Sequence, residues 1–356
     1  MSGTPTDDVN AVWVSRLVER GRRVVDRPIV AALVVGGWVP VVTTLVAVDP
    51  EEATTAFLVG QALAALMVVS GPFDVWYFDQ RLLPRFFRDA DEVLTAADDT
   101  VASDLAARFD GFYGRYWPAS VAVWVVLVLA VFVVGQEYFA SQGITTVTER
   151  AAYLAFFLYW LTIVGLRSHA AVVTVLAIRA FAERATLDLD PLHPDGLGGL
   201  GTVGELAIQT TVVVSLGSLA LPLSFQIAAH VRYGGFVYAG VALFVLLVAA
   251  NFLYPTYKMN RRAQAFRERI LDEHRERIRD LENRLAVPAE TEAVDEGTVH
   301  EAELLQLEIQ RARREFRDHQ QVQLYPLSVG IITRLVSSIL LPLFFIVFEL
   351  FITDLL

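Results

Sequence analysis

Residues 151–178 decide the fold class and read AAYLAFFLYWLTIVGLRSHAAVVTVLAI. One residue in this stretch of 28, Arg167, carries a full charge, and one other, His169, can ionise. A helix of about 20 mostly apolar residues is long enough to cross the hydrocarbon core of a bilayer. The stretch therefore predicts a transmembrane helix.

Six further stretches have the same character: residues 29–48, 53–73, 119–139, 203–229, 236–257 and 327–353. Prolines fall inside or at the ends of spans, among them Pro40, Pro72, Pro222 and Pro342. Neighbouring helices can satisfy the carbonyls that a proline leaves free, so we expect kinks rather than breaks. The sequence predicts an all-α, polytopic membrane protein with seven transmembrane helices.

The basic residues predict the orientation of these helices. With the N-terminus inside, 25 of the 29 Lys and Arg lie in cytoplasmic segments, while the outside loops hold only Arg150 and Arg232. Short cytoplasmic loops are enriched in Lys and Arg. We therefore expect a multi-pass protein of the cell membrane with its N-terminus inside, its C-terminus outside and the lipid bilayer as its surroundings.

Composition excludes several functions. The net charge of −11 argues against nucleic-acid binding, and the absence of cysteine excludes disulfides and thiol catalysis. The six histidines are scattered, so no catalytic triad is visible, and we expect neither an enzyme nor a bound cofactor. Lys258 is the only lysine beside 28 arginines and 40 acidic residues, a bias that resembles proteins of salt-loving archaea.

The chain divides into four parts. Residues 1–28 form an N-terminal amphipathic segment, and residues 29–257 form a bundle of six spans. Within that bundle, residues 77–117 place apolar side chains three and four apart, which predicts a helical connector under the bilayer. Residues 258–323 and the seventh span, within residues 324–356, complete the chain.

Residues 258–323 predict a cytoplasmic helical hairpin. Two stripes have helical spacing: Ile270, His274, Ile278, Leu281 and Leu285, then Leu305, Ile309, Ala312 and Phe316. Residues 288–297 between them are acidic and poor in apolar side chains, which indicates a turn. The stripes could pack against each other or against a second subunit, and Arg261 and Arg262 could contact anionic headgroups.

The loop 188–201 reads DLDPLHPDGLGGLG and allows three interpretations. It could be an ordered turn that Pro191 and Pro194 stiffen. It could bind a metal ion through candidate ligands, or bind an anion or lipid headgroup through backbone amides. The candidates are Asp188, Asp190, His193 and Asp195 for a metal, and Gly198 and Gly199 for an anion.

Ionisable residues inside spans are candidates for function by default. Asp74 ends the second span and Arg167 lies in the fourth, so they could form a structural ion pair or part of a gate. His169 lies two residues, about 200°, around the helix from Arg167 and should face a different neighbour. In the seventh span, Arg334 and Glu349 are candidates for the inner and outer mouths of a pore.

Two resemblances bear on function. The pattern His-Pro-Asp-x-x-Gly-Gly-Leu at 193–200 is similar to a loop of uncharacterised prokaryotic multi-pass membrane proteins. The predicted topology resembles the insect odorant and gustatory receptor type of ion channel, which implies a tetrameric cation channel with the last helix lining the pore. That family's Thr-Tyr and Gln-Phe signature in the last span is absent from residues 335–351.

The topological resemblance implies a homo-oligomeric ion channel that binds ions or a small ligand. A membrane sensor or scaffold that docks a partner through the hairpin is the alternative from a different class. A small-solute transporter is a third, although the chain shows no inverted repeat.

Overall fold

The computed structural model describes residues 12–90, 101–184, 201–231, 234–289, 296–321 and Phe344. Within these residues all regular structure is helical, and we number nine helices. Helix α1 comprises Trp13–Arg22, and α4 comprises Val101–Val134. Helix α2 comprises Pro28–Ala32, a π-helical turn Leu33–Gly37 and Trp38–Ala47. Helix α3 comprises Thr55–Tyr77, a π-helical turn Phe78–Leu82 and Leu83–Ala90.

The remaining five helices follow in chain order. They are α5, Gln136–Ser141; α6, Val147–Arg184; α7, Gly201–Ser215 extended by a 3₁₀ turn Leu216–Ala220 and by Leu221–His230; α8, Gly235–Ala289; and α9, Glu296–Gln321.

Five of these helices are long and apolar enough to cross a membrane. The apolar helices are Pro28–Ala47, Thr55–Asp89, Ser103–Val134, Val147–Arg184 and Val203–His230, which belong to α2, α3, α4, α6 and α7. They correspond to the first five predicted spans. The sixth predicted span corresponds to a shorter apolar segment, Val237–Asn251 in α8. Apart from Phe344, the seventh predicted span, residues 327–353, lies outside the described residues, so the count of seven and the orientation remain predictions.

Helix α6 is the centre of the bundle. In its most apolar window 72% of the residues are buried, against 6% in α4. The outer side chains of α4 are correspondingly exposed, with Val126 and Val133 each 70% accessible. Lipid tails are as apolar as valine, so a bilayer accommodates such a face without cost.

The prolines are accommodated within helices. Pro72 lies inside the α-helical part of α3, which continues past it. In α2 and α7 the helix changes its hydrogen-bond pattern just before Pro40 and Pro222, by the π-helical and 3₁₀ turns. A proline cannot donate to the carbonyl four residues earlier, and such local adjustments satisfy the freed group. Pro342 lies outside the described residues.

The described parts of residues 77–117 are helical. Helix α3 continues to Ala90 and α4 starts at Val101, so both helices extend beyond their apolar segments. The apolar positions responsible for the predicted pattern, among them Phe86, Phe109 and Tyr113, are buried in one cluster with α6. Their spacing is therefore accounted for by burial between helices, while a location under the bilayer stays a prediction.

Helices α8 and α9 pack as an antiparallel pair. Ile278, Leu281 and Leu285 of α8 contact a cluster on α9, which comprises Leu305, Ile309 and Ala312. Arg313 also donates to Glu282 across the pair over 2.7 Å. These parts of the two predicted stripes therefore pack against each other. Residues 290–295, within the predicted turn 288–297, lie outside the described residues.

Candidate functional site

The candidate site is a buried ion pair between α3 and α6. The Arg167 guanidinium donates through Nη2 to Oδ2 of Asp74. The two side chains are only 3% and 8% exposed. Since a buried charge is costly unless it is paired, this contact compensates two charges inside an otherwise apolar bundle. The structure thus brings together two of the residues that the sequence analysis singled out.

Ser70 completes the polar cluster. The same Nη2 atom lies 2.8 Å from Ser70 Oγ and 3.2 Å from the carbonyl oxygen of Met67. Ser70 Oγ in turn lies 3.0 Å from Asp74 Oδ2. Residues four apart on a helix share a face, which is why Ser70 and Asp74 meet the same guanidinium.

The guanidinium keeps unused donors. Nε and Nη1 of Arg167 are buried and have no hydrogen-bond partner among the residues that the structure describes. Arginine has five N–H donors, so the pair with Asp74 uses only part of its capacity. These donors can hold a water molecule or an acceptor from elsewhere in the chain.

His169 faces a different helix, as its spacing from Arg167 requires. Its ring stacks on Phe112 and Tyr113 of α4, with centroid distances of 5.7 and 5.3 Å. Ser120 Oγ lies 3.4 Å from Nδ1. Arg167 and His169 therefore bind α6 to α3 and to α4, respectively, and do not share a ligand.

No metal centre forms in the described part of the chain: nowhere in it do three His, Cys, Asp or Glu side chains come together as a possible metal site. The candidate loop ligands Asp188, Asp190, His193 and Asp195 lie outside the described residues, as do Gly198 and Gly199. The pore candidates Arg334 and Glu349 also lie outside them. Their roles stay predictions.

A cavity of about 90 Å³ lies between α4, α6, α7 and α8. Its walls are apolar apart from Ser224, whose hydroxyl donates to the Ala220 carbonyl, and Trp160 is among its aromatic side chains. The lining contains no charged group. This cavity therefore offers an ion no charged ligand.

The sequence analysis missed a second polar connection, between α1 and α3. Asp79 is buried and accepts the backbone N–H of Val12 over 3.3 Å, just before α1 begins. Trp76 Nε1 donates to Glu19 of α1 over 2.7 Å. The signal was available in the sequence, because Trp76 and Asp79 are three apart and share a helix face.

Fold and site together define the class: a membrane-embedded, all-helical protein whose central helix carries a buried ion pair. The chain matches no family, no curated protein and no solved structure. The function is therefore inferred from the geometry alone.

Proposed function

We propose that the chain is a subunit of a homo-oligomeric ion channel in the cell membrane. The observation that carries the proposal is α8, one unbroken helix of 55 residues. It starts with an apolar segment, Val237–Asn251, and continues into the pair with α9. Because one helix joins the two, we expect a displacement of the hairpin to move the membrane segment, with Pro255 between them as the position where the helix can bend.

The hairpin has a face suited to join copies. Leu304 and Leu307 of α9 are 50% and 61% exposed, and both point away from the cluster around Leu305 and Ile309. Leu304 and Leu307 are three residues apart and share a face of α9, so they form a small apolar surface that another helix can cover. A second copy of the hairpin, with the same face, is the occupant we propose.

The conduction path would then lie between copies. In the described bundle Asp74 is paired with Arg167, and the cavity beside Trp160 holds no charge. An ion needs ligands or water along its path. We assign the wall of that path to the seventh predicted span, which carries Glu349 near the outside and Arg334 near the inside. This assignment retains the predicted orientation, with the N-terminus inside.

The first experiment measures assembly. The mass of the purified protein in detergent, measured by light scattering, should correspond to an oligomer. Replacing Leu304→Glu together with Leu307→Glu should dissociate it. The matched control is Gln306→Glu with Gln320→Glu, which adds the same two charges at exposed positions on α9 away from the face of Leu304 and Leu307. A monomer in the unmodified protein contradicts the proposal.

The second experiment measures ion flux through liposomes that contain the protein. Glu349→Lys should lower cation flux or shift the reversal potential, because a ring of carboxylates attracts cations and a ring of lysines repels them. If flux occurs and Glu349→Lys and Arg334→Gln both leave it unchanged, the seventh span does not line the path.

The second candidate is a sensor or scaffold. The exposed Leu304 and Leu307 favour it too, since the same face could dock a different protein. A protein that is monomeric and conducts no ions in liposomes supports this candidate over the channel.

A further inference from the structure

A cavity of about 410 Å³ lies at the arginine-rich end of α3. Its lining has three arginines and three aromatic side chains, and it includes no Asp or Glu: Arg81, Arg85 and Arg88 beside Phe73, Trp76 and Tyr77. The arginines are spaced by four and three residues, so they lie on one face of the helix. The cavity is therefore cationic on one side and aromatic on the other.

Two of these arginines are available to a ligand. Arg85 forms ion pairs with Asp89 and Glu205, at 3.2 and 3.7 Å. Arg81 and Arg88 have no carboxylate partner within the described ranges, and the Arg81 guanidinium lies 5.9 Å from the Trp76 ring. The cavity thus has positive charge that no described carboxylate balances.

An apolar groove adjoins this cavity. A space of about 180 Å³ between α2 and α3 is lined by Ile29, Leu33, Leu66, Val69 and Phe73, with Ser70 and Ala32. Phe73 lines both spaces, so the groove and the cationic cavity meet at its ring. The sequence of α3 explains why the groove comes before the cationic cavity along the helix. Its apolar residues come first, its aromatic residues Phe73, Trp76 and Tyr77 follow, and its arginines come last.

We propose that the cavity and the groove together bind one anionic phospholipid. The phosphate lies between Arg81 and Arg88, since planar guanidinium groups bind phosphate oxygens with two parallel hydrogen bonds. One acyl chain lies in the groove against Leu66 and Val69. Aromatic side chains are enriched at the depth where headgroups meet acyl chains, and Trp76 and Tyr77 line the cationic cavity together with Phe73, which also lines the groove. A free anion would leave the groove without an occupant. This inference does not depend on the proposed channel.

The test is native mass spectrometry of the purified full-length protein with added lipid. Phosphatidylglycerol should stay bound under conditions that remove phosphatidylcholine with the same acyl chains. Arg81→Gln with Arg88→Gln should lower phosphatidylglycerol retention by about fivefold for each arginine removed. Leu66→Trp, at an exposed position, should lower retention by filling the groove.

The matched control is Arg108→Gln with Arg115→Gln. It removes two exposed arginines that also lie beside aromatic rings, on α4, and it should leave retention unchanged. If the control variant lowers retention as much as Arg81→Gln with Arg88→Gln does, overall charge explains the effect and the proposed site is wrong.

Three other results would overturn the proposal. Equal retention of the two lipids would show that the phosphate-binding arginines do not select an anion. Displacement of the lipid by inorganic phosphate, with no effect of Leu66→Trp, would assign the cavity to a free anion. A photo-crosslinker at position 66 that reacts with residues 327–353 rather than with lipid would show that the chain itself fills the groove.

Discussion

Removing one partner of the Asp74–Arg167 pair should destabilise the protein strongly. The change we choose is Arg167→Met, which keeps most of the unbranched stem of the side chain and removes its charge. Asp74 would stay buried, with Ser70 as its one remaining hydrogen-bond partner among the described side chains. Leaving an uncompensated buried charge costs about 3–5 kcal/mol, and we expect that loss in the free energy of unfolding.

The double variant makes the argument quantitative. Asp74→Leu with Arg167→Met removes both charges, and Ser70 keeps the Met67 carbonyl as its acceptor at 2.9 Å. Buried ion pairs replaced by apolar side chains often leave stability unchanged. We therefore expect the double variant to lie within about 1–2 kcal/mol of the unmodified protein. With single costs of about 3–5 kcal/mol for each partner, the coupling energy is then at least about 4 kcal/mol.

The assay is unfolding in mixed detergent micelles, with tryptophan fluorescence as the signal. Arg179→Met is the control, because Arg179 lies on the same helix but is 54% exposed and pairs with an exposed Glu183. An exposed pair of this kind contributes about 0–1 kcal/mol. The reasoning is refuted if Arg167→Met costs no more than this control, or if the two single costs simply add in the double variant.

Three further predictions concern packing and topology. Gly165→Ala should lower the free energy of unfolding by about 1–3 kcal/mol, because its new Cβ would lie 2.6 Å from the backbone of α4. Gly111→Ala has open space around the new Cβ and should raise the free energy of unfolding by up to about 1 kcal/mol. Unfolding in the same micelles measures both. Ile309→Asp should speed hydrogen exchange throughout α9, because it places a charge in the hairpin's apolar cluster, whereas Gln310→Asp at an exposed position should not. Ser141→Cys on this cysteine-free chain should react with an impermeant thiol reagent from outside the cell, and labelling from the cytoplasmic side only would refute the predicted orientation.

Hydropathy was sufficient to predict the helices of the bundle. Each of the first five predicted spans coincides with a long apolar helix, because a run of apolar residues leaves the backbone no alternative in a bilayer. The ends of the helices were harder to predict. The spacing at Phe86 and Phe109 predicted a helix, but the same pattern suits burial against a membrane surface or against α6, and the sequence does not distinguish the two.

The candidate site was predictable only in part. The rarity of charge inside spans pointed to Asp74 and Arg167, and their similar depth pointed to a pair. Ser70 carried no such signal, since a serine in a membrane helix commonly bonds to its own backbone, as Ser70 also does with Met67. Only the helix geometry shows that its hydroxyl also lies within reach of the guanidinium.

The contacts of α6 limit where movement can occur. Arg167 ties this helix to α3, while Gly165 and His169, four residues apart, face α4. Since residues so spaced share a face, α6 is held by polar contacts on one side and by close backbone approach with ring stacking on the other. Separating α6 from α3 would expose two opposite charges to an apolar environment, so these helices move together. Helix α8 packs on α6 and α7, so in the proposed channel this packing is the contact that we expect to change when the hairpin moves.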